Sequence, residues 1–290
     1  MTDSAAGRFA FNSTQLLTRA ERVISPNLNH QAPPGPFPDN GYLRVGVDLG
    51  TAYTVVMVLN EQGQPLIGEL QFSQVVRDGL VVDFIGAVDL LRGMKIRLED
   101  RLGRRLTHAT SGFPPGVPRA EVQAVANVLE AAGLNCQGLI DEPSAANNLL
   151  KLQEGVIVDV GGGTTGIAII KNGRVTYAAD EATGGTHFSL VIAGALDLSF
   201  EAAEDLKKDP EQQTRLFPIV HPVMEKVGTI IEKHVRNKDV RSIVLVGGTP
   251  LFPGMNDVIE SVTGLSTRVA HNPLFVTPLG IAMHDQPLTT

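Results

Sequence analysis

Short apolar runs rich in β-branched residues recur along the chain, and two pairs of them are spaced as hairpins. Residues 45–49 and 54–59 form the first pair, and residues 156–160 and 166–170 form the second. Runs of this length and composition predict buried β-strands, and the glycines within each pair predict tight turns. Further strands are predicted at residues 107–113, 139–140, 175–178 and 241–246. Asn172-Gly173 is a strong signal for a turn between two of them.

Segments with apolar residues every three or four positions lie between these strands and predict helices. They cover residues 87–106, 119–132, 200–208, 222–236 and 255–262. Ser199 is placed to cap the third of these helices, and Gly133 is placed to end the second. The mixture of the two patterns predicts an α/β protein.

Residues 1–40 form a separate segment, with an amphipathic helix followed by a Pro-rich linker at residues 31–41. Asn12 or Ser13 is placed to cap the helix. Its apolar stripe consists of Leu16, Leu17, Ala20, Val23 and Ile24. The stripe is compatible with a helix docked on the body of the protein, with a disordered tail, and with a peptide that binds another protein.

Composition narrows the class of protein. The 290 residues are 43% hydrophobic and 19% charged, which is typical of a globular chain, and the length favours two lobes. A formal charge of −7 argues against nucleic acid as the main partner. Cys136 is the single cysteine, so no internal disulfide can form, and a cytoplasmic location is expected. We expect no membrane span and no signal peptide, because no apolar run approaches about 20 residues.

The two hairpins share a sequence motif whose residues can bind phosphate and a metal ion. Asp48-Leu49-Gly50-Thr51 closes the first strand of one hairpin, and Asp159-Val160-Gly161-Gly162-Gly163-Thr164 closes the first strand of the other. Glycine lets backbone N–H groups approach an anion, and a threonine hydroxyl can bind the same oxygens. The aspartates can hold a divalent cation, directly or through its waters. Two such hairpins that face each other would clamp a polyphosphate.

Motifs that would indicate other kinds of site are incomplete or absent from the sequence. Gly161, Gly163 and Gly166 have dinucleotide-site spacing, but a strand rather than a helix is predicted to follow them. The chain has no P-loop sequence and no zinc-ligand spacing, and Ser144 lacks the context of a nucleophile. Taken alone, Lys207-Lys208 is typical of a solvated helix face. No convincing base for a sugar or small-acid kinase is found.

In order, these motifs resemble the actin-like ATPase superfamily of actin, the Hsp70 nucleotide-binding domain and the sugar kinases. Residues 45–51 and 158–164 resemble its two phosphate loops, and residues 140–146 resemble its first connecting segment. Residues 203–207 are similar to a helix that flanks the nucleotide base, residues 244–249 with Gly254 resemble the adenosine loop, and residues 277–282 resemble the second connecting helix. The resemblance implies duplicated ribonuclease-H-like lobes with a nucleotide cleft between them. We expect a first lobe at 41–152, a second at 153–270, and a connecting helix and tail at 271–290.

The resemblance also implies a set of site residues. Asp48, Glu142 and Asp159 are the expected catalytic residues, with Asp48 and Asp159 holding Mg²⁺ through water. The expected ATP or ADP contacts are Gly50, Thr51, Ala52, Gly161, Gly162, Gly163, Thr164, Gly185, Glu204, Lys207, Gly247, Gly248 and Thr249. The lysine that reaches the transferred phosphate in Hsp70 has no equivalent here, since Lys95 has an unrelated context. We therefore expect ATP hydrolysis to be slow or absent.

A narrower resemblance is to the ethanolamine-utilisation protein J family, described as chaperone-like. It lies in residues 75–79, Asp83-Phe84, Gly86-Ala87, residues 113–116 and residues 180–185. It implies a nucleotide-switched chaperone-like or assembly factor of the ethanolamine microcompartment pathway. Ethanolamine ammonia-lyase or other microcompartment proteins are the expected partners, in the cytoplasm or on the compartment. The alternative is an actin-like filament protein, or a scaffold or adaptor of the pilus or cell-division type.

Overall fold

A computed structural model describes residues 12–24, 41–77 and 79–286. Almost all of the predicted Pro-rich linker lies outside these residues. The first half contains α1 (Ser13–Ile24), β1 (Arg44–Leu49), β2 (Tyr53–Leu59), β3 (Pro65–Phe72), β4 (Val76–Arg77), β5 (Leu80–Val81), α2 (Phe84–Leu102), β6 (His108–Phe113), α3 (Arg119–Ala131), β7 (Asn135–Asp141) and α4 (Glu142–Leu150). The second half contains β8 (Glu154–Val160), β9 (Thr165–Lys171), β10 (Arg174–Glu181), α5 (Gly185–Leu196), α6 (Phe200–Lys208), α7 (Pro210–Val235), β11 (Ser242–Val246), α8 (Met255–Thr263), β12 (Ser266–Val269) and α9 (Val276–His284).

Two five-stranded sheets with the same layout organise these elements. Their strand orders are β3-β2-β1-β6-β7 and β10-β9-β8-β11-β12. In each sheet three strands form an antiparallel meander, and two parallel strands follow on the other side of its first strand. The sequence repeat is therefore a repeat of structure. Each sheet has its own apolar core on one face, and a third core lies between the sheets around α1, α4 and α9.

α4 and α9 cross in close contact at the base of the space between the sheets. An added Cβ on Gly280 of α9 would lie 1.8 Å from the carbonyl oxygen of Ala145 in α4. A Cβ on Gly46 of β1 would likewise lie 2.7 Å from the Cβ of Ala282 in α9. Glycine is required at both positions, because any larger residue would force these elements apart.

α1 is docked on the protein's own body. Asn12 caps it, since its Oδ1 accepts a 2.8 Å hydrogen bond from the Gln15 N–H. All five residues of the predicted stripe are buried, in the core that also contains β2, β3 and α9 residues. Arg19 Nε donates to the carbonyl of Pro65 at 2.7 Å. The interpretation of the stripe as a free partner-binding surface is therefore wrong, and the docked alternative is correct.

Most predicted elements occur within a few residues of their predicted positions, and two helices differ. The helix predicted at 222–236 begins at Pro210 and runs through Pro218 and Pro222. The two prolines are four residues apart and exposed, so the carbonyls they leave unpaired face water. α5 carried no prediction, because its sequence is apolar on nearly all sides and shows no clear stripe. No helix in the described part of the chain is long and apolar enough to cross a membrane.

Candidate functional site

The two glycine loops that join the first two strands of each sheet have the same internal hydrogen bond. In the first loop, the Gly50 N–H donates to the Tyr53 carbonyl at 3.1 Å. In the second, the Gly161 N–H donates to the Thr164 carbonyl at 3.0 Å. This correspondence matches Thr164 with Tyr53 rather than with Thr51, which the repeated phrase alone did not reveal.

The two loops face each other and touch reciprocally. A Cβ on Gly162 would lie 2.7 Å from the Cβ of Ala52, and a Cβ on Gly163 would lie 2.8 Å from Thr51 Cγ2. Because glycines of the second loop lie against Ala52 and Thr51 of the first, the two backbones approach closely. Larger side chains at 162 or 163 would separate the loops.

A cavity of about 350 Å³ lies where the loops meet, between the two sheets. Every predicted site residue lines it. These residues are Asp48, Gly50, Thr51, Ala52, Glu142, Asp159, Gly161, Gly162, Gly163, Thr164, Gly185, Glu204, Lys207, Gly247, Gly248 and Thr249. Segments more than 200 residues apart in sequence thus form one site.

Hydrogen bonds hold the second glycine loop to its neighbours. The Gly161 carbonyl accepts from the Gly185 N–H at 2.9 Å and from Thr249 Oγ1 at 2.7 Å. The Thr186 N–H donates to the Gly162 carbonyl at 2.8 Å. The carbonyls of Gly161 and Gly162 therefore have hydrogen-bond partners in α5 and at Thr249.

Three buried carboxyl groups line the cavity, those of Asp48, Glu142 and Asp159, and the pKa of each is raised. Burial, aided by the charge of Asp159, raises the pKa of Asp48 to about 7. Burial and the charges of Asp48 and Asp159 raise the pKa of Glu142 well above its usual range. Burial also raises the pKa of Asp159, opposed by a 2.7 Å hydrogen bond from Thr277 Oγ1. A site of this kind favours a bound cation, which would relieve the repulsion.

The donor set fits Mg²⁺ held through water. Within residues 12–24, 41–77 and 79–286, no three His, Cys, Asp or Glu side chains are grouped so that they could hold a metal ion. Carboxylate oxygens suit Mg²⁺, which keeps several of its own waters and takes few protein ligands. Asp48 and Asp159, at equivalent positions of the two sheets, are compatible with that mode.

α6 presents a charged group to the cavity, and it is not a fully solvated face. Lys207 Nζ donates to Glu204 at 2.6 Å, to Ser189 Oγ at 2.9 Å and to the Gly185 carbonyl at 3.1 Å. Burial lowers the pKa of Lys207; burial also acts to raise the pKa of Glu204, but the contacts with Lys207 lower it overall. Taken alone, the sequence suggested a solvated Lys207-Lys208 face, and for Lys207 that interpretation is wrong.

Some residues that line the cavity were not predicted at the site, because their contacts join distant parts of the chain. Lys208 Nζ lies 5.4 Å from the ring centre of Tyr53 and 5.2 Å from that of Phe72, in the opposite half. Its own half supplies Glu204, whose Oε1 is 3.2 Å away. Lys95 pairs with Glu99 on α2 and does not line the cavity. Among the described residues, the lysines that line it are Lys207 and Lys208, and both belong to the second half.

Comparisons with known proteins identify similar chains. The model of the type IV pilus assembly protein PilM matches residues 143–284, and the MreB/Mbl model matches residues 67–202. The ethanolamine utilization protein EutJ of Escherichia coli (strain K12) is 44% identical over 242 residues, which are 83% of this chain and 85% of that protein. A chaperone protein HscA homolog of Chromobacterium violaceum is 27% identical, over 74% of this chain and 43% of its own length.

Solved structures agree with these matches. The crystal structure of EutJ from Carboxydothermus hydrogenoformans has a TM-score of 0.86 and 40% identity, and covers 93% of this chain and 97% of that one. MreB5 of Spiroplasma citri bound to ADP has a TM-score of 0.68 at 18% identity, covering 82% and 94%. The predicted actin-like ATPase fold is confirmed.

Proposed function

Because the chain belongs to the ethanolamine utilisation protein EutJ family, we propose that it is a nucleotide-binding, chaperone-like or assembly factor of bacterial ethanolamine utilisation. Mg-ATP bound between lobes 41–152 and 153–270 would drive their opening and closing. One observation carries the proposal: every residue expected to bind nucleotide lines one cavity between the two sheets. The similar fold of MreB5, a protein solved with ADP, supports it.

The chain's residues have separate tasks in this proposal. Backbone N–H groups of the two glycine loops, with the Thr51 and Thr164 hydroxyls, bind the phosphates. Asp48 and Asp159 hold the waters of Mg²⁺, which when bound neutralises phosphate charge. Gly247, Gly248 and Thr249 with the Glu204–Lys207 pair bind the nucleoside. Glu142 orients a water, and hydrolysis is slow or absent because no lysine among the described residues of the first half lines the cavity.

The partners belong to the same proposal. We assign ethanolamine ammonia-lyase or other proteins of the microcompartment as clients, in the cytoplasm or on the compartment. Family membership supports this assignment, since the relatives act in ethanolamine utilisation by name.

Calorimetric titration of the purified full chain with ATP and ADP, in EDTA and in MgCl₂, tests the nucleotide proposal. The parent is expected to bind both nucleotides, more tightly with Mg²⁺. Asp159→Ala is expected to remove the Mg²⁺-dependent part of the affinity. The exposed Asp205→Asn is the control, because that side chain is on the solvent side of α6. A parent that binds neither nucleotide overturns the proposal.

A filament, scaffold or adaptor role is the second candidate. Matches to the PilM and MreB/Mbl models favour it. Light scattering of the protein with Mg-ATP separates the two roles, because a filament former scatters more as it assembles. A constant signal at concentrations well above the nucleotide Kd argues against filaments.

A further inference from the structure

A row of three paired residues crosses the second sheet at the cavity. Asp159 on β8 is paired with Gly166 on β9, and Gly166 is paired with Asp180 on β10. Residues directly opposite each other on neighbouring strands project from the same face of a sheet. Asp159 lines the cavity, so Asp180 lies on the cavity face two strands away.

Gly166 leaves a notch between the two aspartates. A Cβ at position 166 would lie 3.8 Å from Asp180 Oδ1 and 3.9 Å from the Cβ of Asp159. These are ordinary contact distances, so packing would allow an alanine there. The glycine is therefore not required to avoid a clash, and what it provides is open space between two carboxyl groups.

The first sheet has the equivalent row of paired residues, and apolar side chains occupy the space that is open in the second sheet. Asp48 is paired with Val55, and Val55 is paired with Leu70. Val55 and Leu70 both line the cavity. The repeat thus places apolar side chains at two positions of the first half where the second half has a glycine and an acid. Because of this difference, the second half has a polar recess next to Asp159, the aspartate that corresponds to Asp48.

Electrostatics links Asp180 to the carboxyl groups that line the cavity. The charge of Asp180 is one of the causes that raise the pKa of Glu142, after burial and the charges of Asp48 and Asp159. Two carboxyl groups on either side of a notch repel a phosphate, whereas they attract a cation with its water shell.

We propose that Asp180 and the notch at Gly166 hold the hydration shell of the nucleotide-bound Mg²⁺, with Asp180 as a positioning residue opposite Asp159. This inference rests on the proposed nucleotide function. It makes the metal site asymmetric, because the second half contributes Asp159, a recess and a further acid, while the first half contributes Asp48 alone.

Two variants test the proposal by calorimetry with ADP at a series of MgCl₂ concentrations. Asp180→Asn keeps the size of the side chain and removes its charge. Gly166→Ala fills the notch and keeps the charge. Each variant is expected to raise about tenfold the Mg²⁺ concentration at which half of the Mg²⁺-dependent gain in ADP affinity is reached. Loss of a residue outside the direct metal ligands commonly has an effect of this size. ADP affinity in EDTA is expected to stay at the parent value.

Matched controls are Asp205→Asn, which is exposed on α6, and Gly194→Ala, which has no atom within 4 Å of its added Cβ. Parent-like Mg²⁺ dependence in both test variants would overturn the inference while leaving the proposed function intact. An equal loss of ADP affinity in EDTA and in Mg²⁺ would also overturn it, because it would indicate a structural role. A parent that binds no ADP would refute the proposed function itself.

Discussion

At the scale of single residues, the contact between the glycine loops sets a strict limit on side-chain size. Gly162→Ala adds a Cβ that would meet Ala52 at 2.7 Å. The loops must then separate, and we expect nucleotide affinity to fall at least tenfold, about 1.4 kcal/mol. Adding Ala52→Gly to the same chain removes the opposing Cβ and should restore binding. If the double variant binds as weakly as Gly162→Ala alone, the contact is not the cause.

The three carboxyl groups of the cavity predict an unusual pH dependence. The pKa of Asp48 is raised from about 4 to about 7, so between these values the folded state holds a proton that the unfolded state releases. Stability in EDTA is therefore expected to fall as pH rises from 4 to 7. Melting temperatures at pH 5.5 and 8 measure the effect. Asp48→Asn should reduce it, and Mg²⁺ should raise the pH 8 value in the parent. A parent curve that is flat in EDTA would contradict this.

Glu142 provides a second measurement of the same cluster. Glu142→Gln removes a carboxyl group. Burial and two neighbouring aspartates oppose the ionisation of that group in the parent. We expect a higher melting temperature at pH 8 in EDTA, unchanged Mg-ATP affinity, and at least a hundredfold slower phosphate release in single turnover if Glu142 orients the water. Equal losses of affinity and rate would instead indicate that Glu142 shapes the site.

At the scale of elements, α1 illustrates what the sequence could and could not specify. Its stripe and its cap were predictable from spacing, but the surface beneath it was not, because a stripe does not encode its partner. Leu17 is 1% exposed in that interface. Leu17→Ala is expected to destabilise the protein by about 2–5 kcal/mol, seen as a lower melting temperature. Arg22→Ala on the exposed side should change it little. If Leu17→Ala melts like the parent, α1 is not part of the folded core.

The strands show the same division between local and long-range information. Both hairpins were predictable because β-branched runs and glycine turns are local signals. Asn172 and Gly173, with φ of 51° and 73°, adopt the turn that their sequence favours. The pairing of Gly166 with Asp180 depends on sheet register, and the hydrogen bond from Thr277 to Asp159 joins residues 118 positions apart. Spacing along the chain does not contain such contacts, so the motifs indicated residues that line one cavity, but not the hydrogen bonds and pairings around them.

At the scale of the whole molecule, the two halves are joined differently at the base of the cleft and at its edge. The base consists of α4 and α9, which approach so closely that Gly280 has no room for a side chain against Ala145. At the edge, Lys208 lies near the rings of Tyr53 and Phe72 in the opposite half. If the lobes open and close as proposed, we expect the edge to move and the crossing of α4 and α9 to act as the hinge.

This difference predicts that Lys208 controls how long a nucleotide stays bound. Lys208 pairs with Glu204 on its own helix, and its ammonium group contacts the two rings across the cleft, a cation–π contact worth about 0.5–1 kcal/mol at exposed sites. Lys208→Met keeps the length of the side chain and removes the charge. Release of a fluorescent ADP analogue, followed by stopped flow, should then be about two- to fivefold faster, with the melting temperature close to the parent. Lys226→Met, exposed on α7, is the control. An unchanged release rate would show that the edge contact does not hold the lobes together, and that closure depends on the glycine loops and the nucleotide between them.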